Sequence, residues 1–585
     1  MQANPSLGAD PRVTAFWPIP ALVAVALPPL IAYNVAPSST FLNQDAALIG
    51  WGALLAWMAA ALPARLPNRR SLGLTALLGA LTLLALAAFT SPFWTHLPWS
   101  LALSSICLIA IAAAVAWSGA ALQQAGLGPP AFRAFCIALV VAGIGSSLVG
   151  MIQVFLPDST DGNWIAHSVL EGRAVGNLRQ PNHLSSLLLW SIIAAAWLGE
   201  AKVIGRFGVR VLAVVFMFVT VLSASRTGAL GALLLGIWGL VDRRLTKPGR
   251  ALLMLMPVAY LVFWGGTSLW ADWSHHVFGG ETRFSGGGDV SSSRFGIWSN
   301  TLSLIAMHPW AGVGFGDFNL AWSMTPFPGR PVAFFDHTHN ILLQFAVELG
   351  VPLAVLVSAL LVLALWKALE TALDVARDDT PAPLERCAFM MVLMIGLHSL
   401  LEYPLWYAYF LLPTAFAFGL CLGPRGAAVA AQAREGSRRM LYSGLVVMAG
   451  AVFALFDYHR VVIIFAPPAD AAPLSQRIDE GRLSVFFSHH ADYAAATTAP
   501  RPSDVIWAFR GASHYLLDAR LMMAWANALH ESGDEQRARF VAQRLKEFRN
   551  DQADDFFDPC SDPPDADDPF QCQQPTKALT YEDMR

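Results

Sequence analysis

The chain has 585 residues, 55% of them hydrophobic and 14% charged, and its 38 Lys and Arg against 41 Asp and Glu leave a formal net charge of -3. That balance offers no footing for nucleic-acid binding. Apolar runs of bilayer-spanning length recur from residue 15 to residue 464, which excludes a soluble enzyme with one hydrophobic core and implies an integral membrane protein.

A span needs about 20 mostly apolar residues. In chain order the candidates are 15–35, 47–65, 71–90, 100–122, 132–156, 183–200, 208–223, 228–241, 250–268, 340–366, 386–402, 406–423 and 440–464, about thirteen in all. The first is flanked only by Arg12 and has no small-residue cleavage site, so it reads as a retained helix.

Alternate connections differ in charge. One set carries Arg65, Arg69 and Arg70; Lys202, Arg206 and Arg210; Arg243, Arg244, Lys247 and Arg250; Lys367, Arg377 and Arg386; and Arg425, Arg434, Arg438 and Arg439. The opposite loops 36–46 and 91–99 have no Lys or Arg. The positive-inside rule makes the basic face cytoplasmic, with the N-terminus inside and, after an odd number of spans, the C-terminus outside.

On the outer face four segments carry nearly all the unusual polar residues. Loop 157–182 ends in Arg179-Gln180-Pro181-Asn182-His183, and Ser225-Arg226-Thr227-Gly228 turns into the eighth run. Loop 269–339 holds Ser291-Ser292-Ser293-Arg294, His308, the Gly-rich stretch Gly312-Val313-Gly314-Phe315-Gly316, and Asp336-His337-Thr338-His339-Asn340. The fourth is His398-Ser399-Leu400-Leu401-Glu402-Tyr403-Pro404, between the eleventh and twelfth runs.

Each delivers the chain into the N-terminal end of a descending helix, where Pro181 and Pro404 suit first-turn positions. Unpaired N–H groups, the positive end of the helix dipole, and Arg179, Arg226 and Arg294 together describe an anion-receiving surface at the membrane face. A lipid-linked pyrophosphate is an anion found at that depth. The bland reading of Arg226 is a cation snorkelling to headgroups, and that of His398 and Glu402 is a structural pair on one helical face.

His337 and His339 share a side of an extended segment, but the rest of a metal ligand set is not evident, and no metal or cofactor is expected. His339 as a general base suits removal of a hydroxyl proton near neutral pH, with Asn340 or Asp336 to orient it. Nucleotide-binding and serine-hydrolase motifs are absent. Gly286-Gly287-Gly288 and the 312–316 stretch read as flexible loop, potentially a lid. His308, before a proline, reads as a turn residue.

Cys107, Cys136, Cys387 and Cys421 lie in apolar runs and read as packing residues. Cys560 and Cys572 sit twelve apart in an acidic, Pro-rich segment on the oxidising side, where a disulfide is expected. Before them, 510–531 and 534–549 read as two amphipathic helices joined at Ser532-Gly533-Asp534.

The segments HNILLQFAVELGVPL, RQPNHLSSLL and HSLLEYPLWYAYFLL resemble the O-antigen ligase and polymerase superfamily of bacterial envelope enzymes, and in it the protein O-oligosaccharyltransferase branch. The resemblance implies an essential histidine at His339, a glutamine of the first motif at Gln180 and a tyrosine of the last at Tyr403. It also implies lipid-pyrophosphate arginines at Arg226 and Arg294. Arg179 joins that group, with His337, Asn340, Asn182, His183, His398 and Glu402 in support.

The implied reaction moves a glycan en bloc from undecaprenyl pyrophosphate to Ser or Thr of a periplasmic, pilin-like protein, with inversion. Alternatives are a lipopolysaccharide O-antigen ligase or polysaccharide polymerase and, from another class, a secondary transporter or flippase; the latter would place its polar groups near the midplane. The expected architecture is an all-α polytopic inner-membrane protein with about 13 transmembrane helices. A membrane domain spans 1–464, with part of the site on periplasmic loop 269–339, and a small helical periplasmic domain spans 465–585.

Overall fold

The computed structural model describes residues 17–63, 71–280, 290–374, 384–425, 436–561, 565 and 567–585. Arg12, Arg65, Arg69, Arg70, Arg377, Arg434 and the Gly286-Gly287-Gly288 run lie outside the described residues, as do the side chains of Ser291, Ser292 and Ser293. Among the described residues every regular element is helical.

Among the described residues seven helices are long and apolar enough to cross a membrane: Leu72–Trp94, Trp99–Gln124, Gly128–Phe155, Pro181–Glu200, Lys247–Ser274, Val351–Leu373 and Arg438–Phe465. Phe41–Ala59, Arg206–Leu222, Arg226–Val241, Leu384–Ser399 and Ala408–Leu422 cover five further apolar runs. The first run is not one helix. Pro18–Ala21 passes into a π-helical turn, Leu22–Ala26, and a 3-10 turn, Pro28–Leu30, because Pro28 and Pro29 supply no N–H and crowd the preceding turn. The tenth run is also interrupted. Ile341–Leu349 stops at Gly350, whose φ is 74°, and a Cβ there would stand 2.3 Å from the Trp310 carbonyl oxygen.

The chain divides into two compact units, each assembled from separate stretches: 1–79, 111–288 and 360–453 in the first, and 80–110, 289–359 and 454–585 in the second. In the first unit Pro181–Glu200 is the central helix, with 94% of its apolar window buried. Its two ends have different chemistry. At the C-terminal end Glu200 accepts from Thr246 Oγ1 at 2.6 Å, and near the end of Arg226–Val241, Asp242 pairs with Arg386 at 3.1 Å. At the N-terminal end Asn182 donates to Glu402 at 3.0 Å and accepts from Ser225 at 2.6 Å. The outer-face motifs of this unit therefore gather at the helix ends opposite the basic connections.

The expected loop 269–339 carries helices: Lys247–Ser274 of the first unit covers its start, and Val290–Met307 and Phe318–Met324 lie in its part of the second unit. The Gly312–Gly316 stretch is a packed turn, which corrects the lid reading. Val313 N–H donates to the Val347 carbonyl at 2.8 Å and Gly314 N–H to that of Glu348 at 3.1 Å, while Gly312, Gly314 and Gly316 take φ of 70°, 108° and 79°. Glycine is needed there for backbone approach.

The tail folds into Leu474–Arg482, Ser488–Thr498, Ile506–Ala512, Ala519–Glu531 and Glu535–Glu547. The expected single helix over 510–531 is two, because Asp518 caps a new start by accepting from Leu521 N–H at 2.9 Å. Cys560 and Cys572 are joined by a disulfide.

Candidate active site

The centre of the second unit's polar chemistry is the segment before the helix Ile341–Leu349. Asn340 caps that helix, its side-chain oxygen accepting from the N–H groups of Leu342 and Leu343 at 3.0 and 3.2 Å. This use fits the short polar residue before an apolar run; a second polar neighbour, on the other side of the pair, bonds it directly.

Asp336 is that neighbour, and it works through His337. Its carboxylate bonds His337 Nδ1, and His337 Nε2 lies 3.1 Å from His339 Nδ1. Desolvation pushes the Asp336 carboxyl up, but the hydrogen bond and charge of His337 outweigh it, so the group sits below its ordinary range and is ionised at neutral pH.

The backbone between the histidines is pinned. Trp298 Nε1 donates to the Thr338 carbonyl at 3.0 Å, and Thr338 N–H donates to Gln344 Oε1 at 2.8 Å. His339 has φ 56°, an uncommon conformation for a residue with a Cβ. Strain of this kind persists only where surroundings over-determine it.

The tail contributes to that bracing. Leu517 N–H donates to Asn319 Oδ1 at 2.9 Å, and Asn319 Nδ2 donates to the carbonyl of Phe335, next to Asp336, at 2.9 Å. Phe334 stacks on Phe548 with centroids 4.0 Å apart, and Arg330 lies 4.4 Å over the same ring and 3.2 Å from Glu547. Burial lowers the Arg330 pKa to about 10, with Glu547 opposing the shift, so it remains a cation at neutral pH. Buried Asp317 is held by His514 and by Arg585. His308 follows the end of Val290–Met307 and faces the tail, 3.6 Å from Glu582. These long-range partners were not readable from local pattern. Arg294 is half-buried near the start of Val290–Met307.

In the first unit Gln180 caps Pro181–Glu200, accepting from His183 N–H at 2.9 Å, and Ser225 caps Arg226–Val241, accepting from Gly228 N–H at 3.0 Å. Arg226 is the first residue of its helix and half-buried. A shared backbone device was missed in the sequence. Arg179, Ala224 and His339 each precede the capping residue and each have positive φ, 56°, 48° and 56°.

Arg179 differs from its expected anion-facing role: its two terminal nitrogens donate to the carbonyls of Ser39 and Ala32, at 3.1 and 2.5 Å. Here it braces loop backbone.

His398 and Glu402 do not share a helical face, because Leu384–Ser399 ends between them. His398 Nδ1 meets Ser186 Oγ at 2.8 Å, whereas Glu402 receives Asn182. His183 is buried, 3.3 Å from the Tyr409 hydroxyl and 4.7 Å from the Tyr407 ring centroid. Tyr403 opens the turn Pro404–Trp406, with its ring 5.3 Å from Trp406 and 5.8 Å from Tyr407.

Three stretches match known families: residues 174–198 that of "Protein glycosylation ligase", 211–358 that of "O-Antigen ligase", and 387–556 that of "Virulence factor membrane-bound polymerase, C-terminal". In these stretches the chain is similar to the O-antigen ligase superfamily and, within it, to the O-oligosaccharyltransferase branch. It is 28% identical over 255 residues to the General O-oligosaccharyltransferase of Acinetobacter baylyi, covering 42% of this chain and 43% of that protein. It is 24% identical over 258 residues to the ComP-specific O-oligosaccharyltransferase of the same organism, covering 43% and 44%. The matches thus span less than half the length of these curated relatives. The family matches include Gln180 and His183, Arg226 and Arg294, and His339, Glu402 and Tyr403 only piecewise, across three separate descriptions.

Proposed function

We propose that this chain is a glycosyltransferase that moves a preassembled oligosaccharide en bloc from undecaprenyl pyrophosphate to Ser or Thr hydroxyls of periplasmic proteins, pilin-like chains among them. The observation that carries the reading is the hydrogen-bonded row Asp336, His337 and His339, a base with a built-in orienting partner, inside the stretch that matches the O-Antigen ligase family. The similarity of residues 174–198 to the family of Protein glycosylation ligase supports a protein acceptor.

In the proposed step the acceptor oxygen attacks the anomeric carbon and the carbon–oxygen bond to pyrophosphate breaks, its electron pair leaving with the phosphate. The hydroxyl proton passes to His339, and the stereochemistry inverts. Arg226 and Arg294 stabilise the departing charge, which is the function such a displacement asks of a preorganised cation; no metal is invoked. Gln180 and Tyr403 belong to the same machinery by resemblance. The arrangement is proposed for thirteen spans in the inner membrane, N-terminus cytoplasmic and residues 465–585 periplasmic. A periplasm-dependent reporter fused after Phe465 is expected to be active, and activity only of a cytoplasmic reporter there reverses the orientation.

A second reading has one observation in its favour, the match of residues 387–556 to a membrane-bound polymerase. Both are tested by supplying lipid-linked oligosaccharide with two competing acceptors, a pilin-like protein and lipid A core. Glycan on Ser or Thr of the protein supports the proposal. Decorated lipid A core or lengthened glycan with an unmodified protein replaces it with the ligase or polymerase reading.

A further inference from the structure

We infer that Asp336 and His337 are positioning residues that fix the tautomer of His339 and share the charge it acquires, forming a carboxylate–imidazole–imidazole relay in which His339 Nε2 is the base. The inference rests on His339 acting as the base and goes beyond that reading by assigning its proton traffic.

The two contacts that join Asp336, His337 and His339 are satisfied together by one proton arrangement of a neutral pair of rings. An ionised carboxylate only accepts, so the His337 nitrogen facing Asp336, Nδ1, carries the hydrogen. His337 Nε2 is then an acceptor. At 3.1 Å from it, His339 Nδ1 must be the donor, and the lone pair of His339 resides on Nε2.

When the acceptor O–H bond breaks, its proton forms the His339 Nε2–H bond, giving an imidazolium. The Nδ1 proton of that ring shifts toward His337 Nε2, and the Nδ1 proton of His337 strengthens its bond to Asp336. No proton is lost and no co-reactant is needed. After transfer, the Nε2 proton departs to water and the starting tautomers return.

The surroundings are built to hold one ring against the other. Trp298 and Gln344 secure both backbone faces of Thr338, the only residue between the histidines. Asn319 anchors the carbonyl of Phe335 on the other side of Asp336, and Asn319 itself is held from the tail by Leu517. A half-exposed Asp–His contact of adjacent residues has little structural worth by itself. Aligning it across the pinned Thr338 with a second imidazole, itself on a backbone of positive φ, serves the terminal ring.

The test uses the full-length enzyme with undecaprenyl-pyrophosphate-linked oligosaccharide and a pilin-like acceptor. Asp336→Asn keeps size and polarity but removes the charge and can present an N–H to His337, favouring the wrong tautomer. It is expected to lower kcat by about 10²-fold or more, with KM for donor and acceptor unchanged, by analogy with the carboxylate of a hydrolase triad. Asp336→Glu should recover part of the loss, and His337→Gln, which can bridge but not relay a proton, should fall with Asp336→Asn. Wild-type kcat in Asp336→Asn, or equal rises in KM as the sole effect, overturns the relay. His339→Ala separates the two claims: an inactive His339→Ala beside a fully active Asp336→Asn removes the relay and leaves the base, whereas an active His339→Ala removes both.

Discussion

The polar groups of the two units are used in opposite ways. In the first unit Asn182, Ser225 and Glu402 bond to one another, all three buried, and tie together the starts of two helices and the turn beyond a third. In the second, Asp336 and His339 keep solvent access on either side of a buried His337, and the bonds that join the three run along a single short segment. A buried, mutually satisfied network stabilises, whereas a row of titratable groups with an accessible end can move a proton. The motif residues are thus divided between holding helix ends and forming the row to which the proposed function assigns the chemistry.

The largest effect that sharpens this contrast is kinetic. His339→Ala should reduce glycan transfer by about 10²- to 10⁴-fold, the range general-base catalysis supplies, without lowering the unfolding temperature. Loss of transfer that tracks loss of fold would place His339 with the stitching residues instead.

Next in size is Arg330→Ala. It removes a cation from between Glu547 and the Phe548 ring and leaves the carboxylate partly buried without it, so thermal unfolding of the second unit should show a loss of about 3 kcal/mol. Because that contact lies beside Phe334, transfer should fall as well. Wild-type stability in this variant would show the tail contact to be incidental.

Asn182→Leu should behave in the reverse sense to His339→Ala, with a smaller effect. It breaks bonds to Ser225 and Glu402 worth about 1–2 kcal/mol together at membrane depth and should lower the unfolding temperature before it lowers turnover per folded molecule. A kcat collapse at unchanged stability would move Asn182 into the reacting machinery.

The helices were readable because hydropathy and length report burial in lipid directly, and Pro181 marks the start it was expected to mark, whereas Pro404 opens a separate 3-10 turn, Pro404–Trp406, and the helix expected there begins only at Ala408. The interruptions at Pro28 and Gly350 were harder, since an average over apolar residues is blind to φ and to a missing N–H. At the site, the histidine pair was legible as a costly polar cluster, and Asp336 was one of two candidates to orient it. Asn340 could have been read as a helix cap from its position alone. The bracing by Arg179 could not be read that way, because its carbonyl partners lie about 140 residues away in sequence. The same holds for Leu517, Phe548 and Arg585, whose partners are fixed only by tertiary packing.

The smallest effect is on pH. Burial pushes the His490 pKa down to about 3 and holds that of His489 well below its ordinary 6.5. The folded tail therefore binds fewer of these protons than the unfolded chain, so their contribution is complete above about pH 6.5 and is lost progressively as pH falls toward 3. Unfolding midpoints between pH 7.5 and 5 should decline less steeply in His490→Gln than in the parent. Equal slopes would mean that these histidines do not titrate differently on unfolding.

The division of labour is tested most directly by measuring donor binding and turnover on the same preparations of His339→Ala and Arg226→Ala with undecaprenyl-pyrophosphate-linked oligosaccharide. The account predicts that His339→Ala binds donor as the parent does while transferring almost none of it, and that Arg226→Ala loses donor affinity, turnover or both. Normal transfer by His339→Ala, or its loss of donor binding with the fold intact, would contradict the assignment of proton chemistry to His339.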